Sequence, residues 1–242
     1  MLVFFRTLFA PPRELILLVA AGWLGLSLAE RRLPRGGVNA ELLNNLVLAG
    51  LLGYVVGGRI VYAAAHLAFI RLDPLSLISL NLGLFDSNGA LAASVLAVFV
   101  YAQRKQLAFW PTMDALTPFL AALMVGRGFS HLASGAAFGS PTTLPWHWEQ
   151  WGAERHPSQA YEILAAAGGL VLLMRRKGNA VPGADFLFFT ALTAGWNLFL
   201  GGLRGDSILI AGGLRLAQLA AWGVLAAALV GLELLENQRA AQ

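Results

Sequence analysis

Hydrophobic residues are gathered in seven long runs that short polar or charged stretches separate. A helix needs roughly 20 apolar residues to cross the ~30 Å hydrocarbon core of a bilayer, and fewer when its polar ends reach the interface. The pattern therefore predicts an all-α, polytopic membrane protein of about seven transmembrane helices, in a single domain over residues 1–242. The runs are Leu15–Ala29, Leu42–Ile70, Gly89–Gln103, Ala115–Gly126, Tyr161–Met174, Phe186–Leu203 and Leu216–Leu232.

Two other apolar segments do not fit this description of a span. Met1–Pro12 ends in two prolines, which disfavour continuation of a helix, and its length suits an interfacial helix. The stretch from Leu75 that precedes the third run is expected to be partly re-entrant.

The charged residues between the runs predict the orientation of the chain. The loops after the first, third and fifth runs are rich in Arg and Lys, whereas the remaining loops mix arginines with acidic residues. Because positive residues accumulate on the cytoplasmic side, we expect the N-terminus outside, the C-terminus inside, and residues 139–160 as an outward loop. The residues that set this bias are Arg31, Arg32, Arg35, Arg104, Lys105, Arg175, Arg176 and Lys177.

The composition excludes several other classes of protein. Hydrophobic residues make up 57% of the chain and charged residues 12%, against roughly 45–50% and 25% in soluble domains. A net charge of +4 from scattered basic residues does not indicate a nucleic-acid surface. Without cysteine the chain supplies no disulfide, thiolate ligand or cysteine nucleophile. No histidine spacing typical of a metal site is present, so neither a metal nor a cofactor is expected.

Three arginines interrupt the apolar runs, namely Arg59, Arg127 and Arg215. A charge at bilayer depth costs at least about 2.5–3.5 kcal/mol, so it needs a reason. The guanidinium fork fits a phosphate, and two such groups at one cavity would bind a phospholipid headgroup. Alternatively, each arginine extends to the interface or pairs with a buried acid such as Asp114. Both interpretations stay open for Arg59 and Arg127, and the second is favoured for Arg215.

The outward loop contains the most distinctive polar sequence. Three tryptophans, Trp146, Trp148 and Trp151, are typical of the headgroup level of a membrane. The segment Arg155–Glu162 reads RHPSQAYE and predicts a helix beginning near Pro157 and Ser158. A capped helix end explains the Pro, Ser and Glu of this segment, but it does not explain the His, Gln and Tyr.

Two histidines lie within the apolar runs or at their ends. His131 is four residues from Arg127, so the two side chains are neighbours on one helical face. This spacing makes His131 a candidate functional group. His66 is interpreted as a satisfied polar residue.

These motifs resemble the prolipoprotein diacylglyceryl transferase family, membrane enzymes that begin bacterial lipoprotein maturation. RHPSQAYE is similar to the family's RHPSQLYE, and the resemblance extends from about Leu42 to Gln218. The supporting motifs, in chain order, are Leu48–Tyr62 with Gly-Gly-Arg, Asp73-Pro74, Gly126-Arg127, Gly135–Trp146 ending in Leu-Pro-Trp, and Gln218.

The resemblance implies an activity, a location and partners. The family transfers a diacylglyceryl group from phosphatidylglycerol to the lipobox cysteine thiol of a prolipoprotein, in the bacterial cytoplasmic (inner) membrane. The implied partners are phosphatidylglycerol, a prolipoprotein signal peptide and membrane lipids, with no nucleic acid. The absence of cysteine here is consistent, because the substrate brings the nucleophile.

The resemblance also implies roles for individual residues. Arg127 would stabilise charge on the leaving phosphate. His131 and His156 are the candidate bases, because histidine is the side chain that titrates nearest to neutral pH. The residues implied in substrate binding are Arg59, Asn88, Gln159, Tyr161, Glu162, Asn197 and Arg204.

Several positions depart from the family's pattern. Ser87–Ala90 occupies the place of a family His or Tyr before Gly-Gly, and no Asn and Glu follow Gly126-Arg127-Gly128 as they do in the family. Asn197 and Gly201 stand near a family Arg and Glu, whereas Arg204 matches a later arginine. One alternative is therefore a catalytically degenerate member that binds anionic lipid or signal peptides. A small membrane transporter is the less favoured alternative.

Overall fold

The computed structural model describes residues 13–33, 38–74, 76, 84–176, 181–210 and 213–240, and these are mostly helical. Met1–Pro12 and nearly all of the stretch from Leu75 fall outside these ranges, so neither prediction is tested. The elements are α1 (Arg13–Arg31), α2 (Ala40–Ala65), α3 (Leu67–Leu72), α4 (Ser87–Arg104), α5 (Phe109–Ser134), β1 (Trp148–Gln150), β2 (Ala153–Arg155), α6 (Ser158–Arg175), α7 (Ala184–Gly201) and α8 (Leu216–Ala240).

Each of the seven predicted runs overlaps most of one helix of at least 18 residues within the described part of the chain: α1, α2, α4, α5, α6, α7 or α8. The second run is divided between two helices, because α2 ends at Ala65 and the short α3 begins at Leu67. Polar residues set two of the N-termini. Asn39 accepts a hydrogen bond from the Leu42 backbone N–H at 2.8 Å, and Asp86 accepts one from Gly89 at 2.6 Å.

Three helices are both long and apolar enough to cross a membrane, namely Ala40–Ala65, Ala184–Gly201 and residues Leu216–Asn237 of α8. The outer surface of α2 shows why lipid is required. Leu51, Leu52, Val55 and Val56 each expose at least half of their surface. In water such a continuous apolar face would be unfavourable, whereas hydrocarbon solvates it. The protein is therefore a helical membrane protein.

The described residues form two compact units. The first includes residues 13–32 and everything described from Met113 onward, and the second covers what is described of residues 33–112. Helix α5 begins in the second unit and continues into the first. Each unit is described by itself below, and the expectation of a single membrane domain stays a prediction.

Small residues bring α2 and α4 together in the second unit. A Cβ atom added to Gly53 would lie 2.7 Å from the Ala93 carbonyl oxygen, and one added to Gly57 would lie 2.0 Å from the Ala93 Cβ. The two backbones thus approach as closely as glycine allows, which is how helices pack in lipid. Arg59 is half-buried in this unit, and its Nη1 donates to the Leu84 carbonyl oxygen at 3.0 Å.

Residues 139–160, which the sequence predicts as a loop, contain a short β-hairpin. Strands β1 and β2 form an antiparallel hairpin, and its turn is Trp151-Gly152, both with positive φ (56° and 69°). Residues 138–142 run beside β2, with Thr142 N–H donating to the Glu154 carbonyl at 3.0 Å. Residues 203–205 run beside residues 138–142, and the Ser140 N–H donates to the Leu203 carbonyl oxygen at 2.8 Å. We call these four extended segments the cap.

Acidic residues organise the opposite end of the first unit. Asp114 accepts hydrogen bonds from the backbone N–H groups of Gly183 (2.6 Å) and Phe186 (2.9 Å) at the start of α7. Asp185 pairs with Arg32 at 2.9 Å and with Arg176 at 3.4 Å. Asp114 therefore caps a helix, and the interpretation of it as a partner for an intramembrane arginine is wrong for the structure described.

Candidate active site

Three of the predicted residues meet where α5 and α6 face each other at the cap. Glu162 accepts a hydrogen bond from Arg127 Nε at 3.2 Å and contacts His131 Nδ1 at 2.8 Å. One carboxylate oxygen serves the arginine and the other serves the histidine. The side chain of Glu162 is 16% exposed and that of Arg127 44%, so the arginine remains accessible to a ligand. The predicted adjacency of Arg127 and His131 is confirmed.

A glycine contact beside these residues explains why they meet. A Cβ atom on Gly128 would lie 2.8 Å from Ile163 Cγ1 and 3.3 Å from Ile163 Cα. Helices α5 and α6 thus touch through Gly128 and Ile163, each of which is the chain neighbour of a site residue. Because the two helices are this close, the side chains of Arg127 and Glu162 are long enough to meet beside the contact.

The hydrogen bonds assign chemical roles to the groups at this site. An ionised carboxylate only accepts hydrogen bonds, so Nδ1 of a neutral His131 carries the proton that it donates to Glu162. Its Nε2 is then a lone-pair acceptor, which is the form a general base requires. The Nη1 and Nη2 atoms of Arg127 have no hydrogen-bond partner among the described residues, so they can bind an anion.

A second arginine lies close to this group. Arg204 donates from Nε and Nη2 to the two oxygens of Asp206, at 2.9 and 2.8 Å. These bonds lower the pKa of Asp206, and Asp206 in turn raises the pKa of Arg204, with a smaller contribution from Glu162. Arg204 therefore remains charged and within electrostatic range of Glu162.

Arg215 fixes the backbone that carries Arg204. Its Nη1 donates to the carbonyl oxygens of Gly201 and Arg204, both at 2.6 Å, and to Ser207 Oγ at 3.2 Å. The residue precedes α8 and does not lie within it. Arg215 therefore lies immediately before the helix that contains the predicted run Leu216–Leu232. No motif in the sequence predicts the turn that places these carbonyl oxygens around the guanidinium group.

A shallow groove with a cavity volume of about 40 Å³ lies beside this polar group, between α6 and α7. Glu162 and Arg204 lie at its polar end, together with Ser158 and Asn197. The rest of the lining is largely apolar: Met124, Ala137, Ala165, Ala166, Gly169, Phe189, Thr193, Trp196, Leu200 and Gly201. The site thus combines charged side chains with a largely apolar groove.

The RHPSQ residues are used largely to build the cap. Arg155 donates to the carbonyl oxygens of Gln150 and Gly139, at 3.0 and 3.2 Å. Ser158 Oγ donates to Ala137 at 2.5 Å. Glycine is needed at position 139, because a Cβ there would lie 2.1 Å from the His156 carbonyl oxygen. The motif therefore holds the start of α6 against the end of α5.

Four predicted residues are not hydrogen-bonded to Arg127, His131 or Glu162 among the described residues. Gln159 is fully buried and donates to Ala136 O at 2.9 Å and Gln150 Oε1 at 3.2 Å, whereas its own Oε1 has no partner among the described residues. Nδ1 of His156 is likewise buried without a partner in the described chain. Tyr161 OH accepts from Trp146 Nε1 at 2.7 Å. Asn197 donates to Thr193 O at 2.8 Å.

Arg59 and Asn88 belong to the other unit. Asn88 is exposed in the first turn of α4, and Arg59 contacts Leu84 as described above. Their expected roles in substrate binding stay predictions. His66 donates from Nδ1 to the Tyr62 carbonyl oxygen (2.9 Å) and stacks on the Tyr62 ring, in keeping with a satisfied polar residue.

Sequence reasoning missed two residues of this region. Asp206 follows Arg204 by two residues, and that spacing of opposite charges could have indicated the pair. Trp196 lines the groove, but nothing in an apolar helix distinguishes a groove residue from one that faces lipid. Within the described residues, no three His, Asp or Glu side chains are grouped to hold a metal ion.

Comparisons with known proteins agree on one family. A family model described as prolipoprotein diacylglyceryl transferase matches residues 15–234. A relative from Synechococcus sp. is 31% identical, with the alignment covering 88% of this chain and 84% of the relative. Relatives from Nostoc sp. and Bacillus cytotoxicus are each 29% identical, covering 90% and 86% of this chain and 82% and 81% of the relatives. All three carry the name phosphatidylglycerol–prolipoprotein diacylglyceryl transferase.

Proposed function

The chain belongs to the prolipoprotein diacylglyceryl transferase family, and from this we propose that it transfers a diacylglyceryl group from phosphatidylglycerol to the lipobox cysteine of a prolipoprotein. The observation that carries the proposal is the group formed by Arg127, His131 and Glu162 beside the groove end that holds Arg204. This group offers cations for a phosphate and a base for a thiol, beside a largely apolar groove.

In the proposed reaction the substrate thiol is the nucleophile. His131 Nε2 takes the thiol proton, and the thiolate sulfur attacks the glyceryl carbon that bears the phosphate oxygen. A C–S bond forms while the C–O bond breaks, and glycerol phosphate leaves with the bonding electrons. Arg127 stabilises the negative charge that develops on the leaving phosphate, with Arg204 in support. The products are a thioether and glycerol phosphate.

His131 is the better placed of the two candidate bases. Glu162 orients its ring and fixes the tautomer in which Nε2 accepts a proton. His156 lacks such a carboxylate, and its buried Nδ1 has no hydrogen-bond partner in the described chain. We therefore assign His131 as the base and His156 to the packing of the cap.

The proposed orientation has seven spans, with the N-terminus outside and the C-terminus in the cytoplasm of a bacterial inner membrane. The seven long helices support this count, although only three satisfy both length and apolarity by themselves. The bias of basic residues towards one set of loops supports the direction. The cap and the candidate site then face outwards, where a lipobox emerges from the membrane.

The transferase proposal is tested by replacing the cation assigned to the phosphate. Arg127→Ala should lower kcat for thioether formation by about 10²–10³-fold, as when an electrostatic donor is removed from a transition state. Arg127→Lys should recover part of the activity. Purified protein, phosphatidylglycerol and a lipobox peptide provide the assay, with the product mass as readout.

Arg175→Ala is the matched control, because it removes an exposed arginine from the far end of α6. It should retain the wild-type rate. Full activity of Arg127→Ala would overturn the assignment. If the wild type binds phosphatidylglycerol but forms no thioether, the chain is instead a catalytically degenerate member that binds lipid. The reason to consider this alternative is Asn197, which stands near a family arginine and donates its hydrogen bond to Thr193 of its own helix.

A further inference from the structure

Arginines are concentrated around the candidate site. Besides Arg127 and Arg204, two guanidinium groups donate to nearby backbone carbonyl oxygens: Arg155 to Gly139 at 3.2 Å, and Arg215 to Arg204 at 2.6 Å. Gly139 and Arg204 form an isolated β-bridge, so these cations lie around one short stretch of backbone. Such a group attracts an anion more strongly the more negative charge the anion carries.

Two carboxylates oppose this positive field. Glu162 accepts from Arg127 at 3.2 Å and also contacts His131, so it has a second task. The only ion pair of Asp206 among the described residues is with Arg204, which donates to both carboxylate oxygens. Because this pairing lowers the pKa of Asp206, the carboxylate stays ionised at neutral pH. Asp206 is therefore the residue at which the field can be changed without affecting the tautomer of His131.

Both arginines keep nitrogen atoms for a ligand. Arg127 offers Nη1 and Nη2, and Arg204 offers Nη1, none of which has a hydrogen-bond partner among the described residues. The side chains of Arg127 and Arg204 are 44% and 30% exposed. A phosphate group can therefore reach them from outside, and no enclosed cavity is needed.

We propose that Asp206 sets the charge selectivity of this site, by weakening the field of Arg204 so that a singly charged phosphodiester is held and a doubly charged phosphomonoester is released. In the proposed reaction phosphatidylglycerol is such a diester, and glycerol phosphate is such a monoester. The inference rests on the proposed function for this assignment of substrate and product.

The charge balance of the reaction explains the need for selectivity. The substrate phosphodiester carries one negative charge. When the C–O bond breaks, both bonding electrons stay on the oxygen, so the glycerol phosphate carries close to two charges, while the thiol proton is on His131 Nε2. Once that proton has passed to water, nothing compensates the added negative charge. Arginines without opposing carboxylates would then hold the product more tightly than the next substrate.

Two opposing contributions decide which anion is bound. The Coulomb attraction to the arginines doubles from a monoanion to a dianion, whereas the cost of taking the ion out of water rises with the square of its charge. A strong positive field therefore favours the dianion, and a field weakened by a neighbouring carboxylate favours the monoanion. Removing the charge of Asp206 should change the logarithm of Kd about twice as much for the dianion.

Two soluble ligands of different charge test the proposal with the purified protein in detergent. Glycerophosphoglycerol, the deacylated headgroup of phosphatidylglycerol, is a monoanionic diester. Glycerol phosphate is mainly a dianion at about pH 8, because the second pKa of a phosphomonoester is about 6. Asp206→Asn should lower Kd about tenfold for the diester and about a hundredfold for the monoester, the order expected for unit charges roughly 10 Å apart at an effective dielectric constant of about 20. Isothermal titration calorimetry at low salt measures both constants.

Glu154→Gln is the matched control. It removes an exposed carboxylate that pairs with His147 at 3.4 Å elsewhere on the cap, and it should leave the ratio of the two Kd values unchanged. Asp206→Glu keeps the charge and should retain the wild-type ratio. An equal change for both ligands in Asp206→Asn, no change, or no binding of either ligand to any variant would overturn the proposal.

A double variant separates the effect of charge from that of shape. Arg204→Gln/Asp206→Asn removes one charge of each sign, so it should restore the ratio of Kd values towards that of the wild type while weakening the binding of both ligands. A ratio like that of Asp206→Asn alone would show that charge is not the cause. If Asp206→Asn does not fold, Asp206→Ser removes the same charge and gives the same comparison.

Turnover separates this inference from the transferase proposal. Glycerol phosphate should inhibit thioether formation by Asp206→Asn at concentrations at least about tenfold below those that inhibit the wild type. If the ratio of Kd values shifts as expected but the wild type forms no thioether, the charge selectivity stands and the transferase proposal fails. If the wild type forms thioether and the ratio in Asp206→Asn is that of the wild type, the charge selectivity fails and the transferase proposal stands.

Discussion

Glu162 contacts two side chains of α5, Arg127 and His131. Their adjacency on the helix was predictable from the sequence, but their shared contact with Glu162 was not. Arg127 and His131 are four residues apart, and the carboxylate from α6 contacts both. A carboxylate between an arginine and a histidine orients the histidine and restrains the arginine. Glu162 is therefore a positioning residue in the proposed reaction, where the sequence had implied a substrate-binding one.

Glu162→Gln tests this role at the residue scale. The variant removes the charge that fixes the tautomer of His131, and kcat should fall by about 10²-fold, within the range for general-base catalysis, with little change in KM. Glu149→Gln, an exposed glutamate of β1, is the control and should be neutral.

A double-mutant cycle distinguishes positioning from simple loss of stability. If Glu162 acts through His131, the double variant Glu162→Gln/His131→Ala should be no slower than His131→Ala alone. Rates that multiply instead would contradict a shared role for the two residues.

At the scale of the helices, acidic side chains form polar contacts with residues at the ends of other helices. Asp114 on α5 satisfies two backbone N–H groups at the start of α7, and Asp185 accepts from arginines after α1 and α6. The first N–H groups of a helix have no partner within it. Polar side chains from other elements supply the partners, and this fixes the end of α7 opposite the candidate site.

Asp114→Ala should therefore destabilise the protein. Loss of an N-terminal cap costs about 1–2 kcal/mol, which corresponds to roughly 2–8 °C in Tm for a chain of this size. Asp114→Asn keeps one acceptor and should lose less. Thermal unfolding in detergent gives the measurement, with exposed Glu41→Ala as the control; an unchanged Tm in Asp114→Ala would show that these bonds do not hold α7.

The whole molecule is governed by its two solvents, lipid along the helices and water at their ends. Exposed leucines, valines and tryptophans follow the helices, whereas charged residues concentrate in the turns. The bias of Arg and Lys gives the proposed orientation. Because the natural chain has no cysteine, single introduced cysteines report topology without background.

Glu149→Cys on the cap and Glu236→Cys near the end of α8 test the orientation. Both positions are exposed. A thiol reagent that does not cross membranes should label Glu149→Cys in intact spheroplasts and Glu236→Cys only after lysis. The reverse pattern would show that the cap faces the cytoplasm and would remove the basis for an outward site.

Most of the helices could be predicted from the sequence, because an apolar run of this length in lipid must satisfy its backbone hydrogen bonds within itself and therefore forms a helix. The adjacency of Arg127 and His131 was predictable for the same reason, since it depends only on helical spacing. The cap was not predictable. Its strands have three residues each, and its turn places Trp151 at a positive φ that tryptophan seldom adopts.

By itself, then, the sequence determined the membrane class, the positions of the long helices and the family, since hydropathy and short motifs such as RHPSQ are properties of neighbouring residues. Only the tertiary structure decided which charges meet. Glu162 reaches Arg127 because Gly128 lets α5 touch α6 at Ile163, and Trp196 of α7 lies beside Gly169 of α6. These relations depend on how helices distant in sequence pack, and no local pattern encodes that.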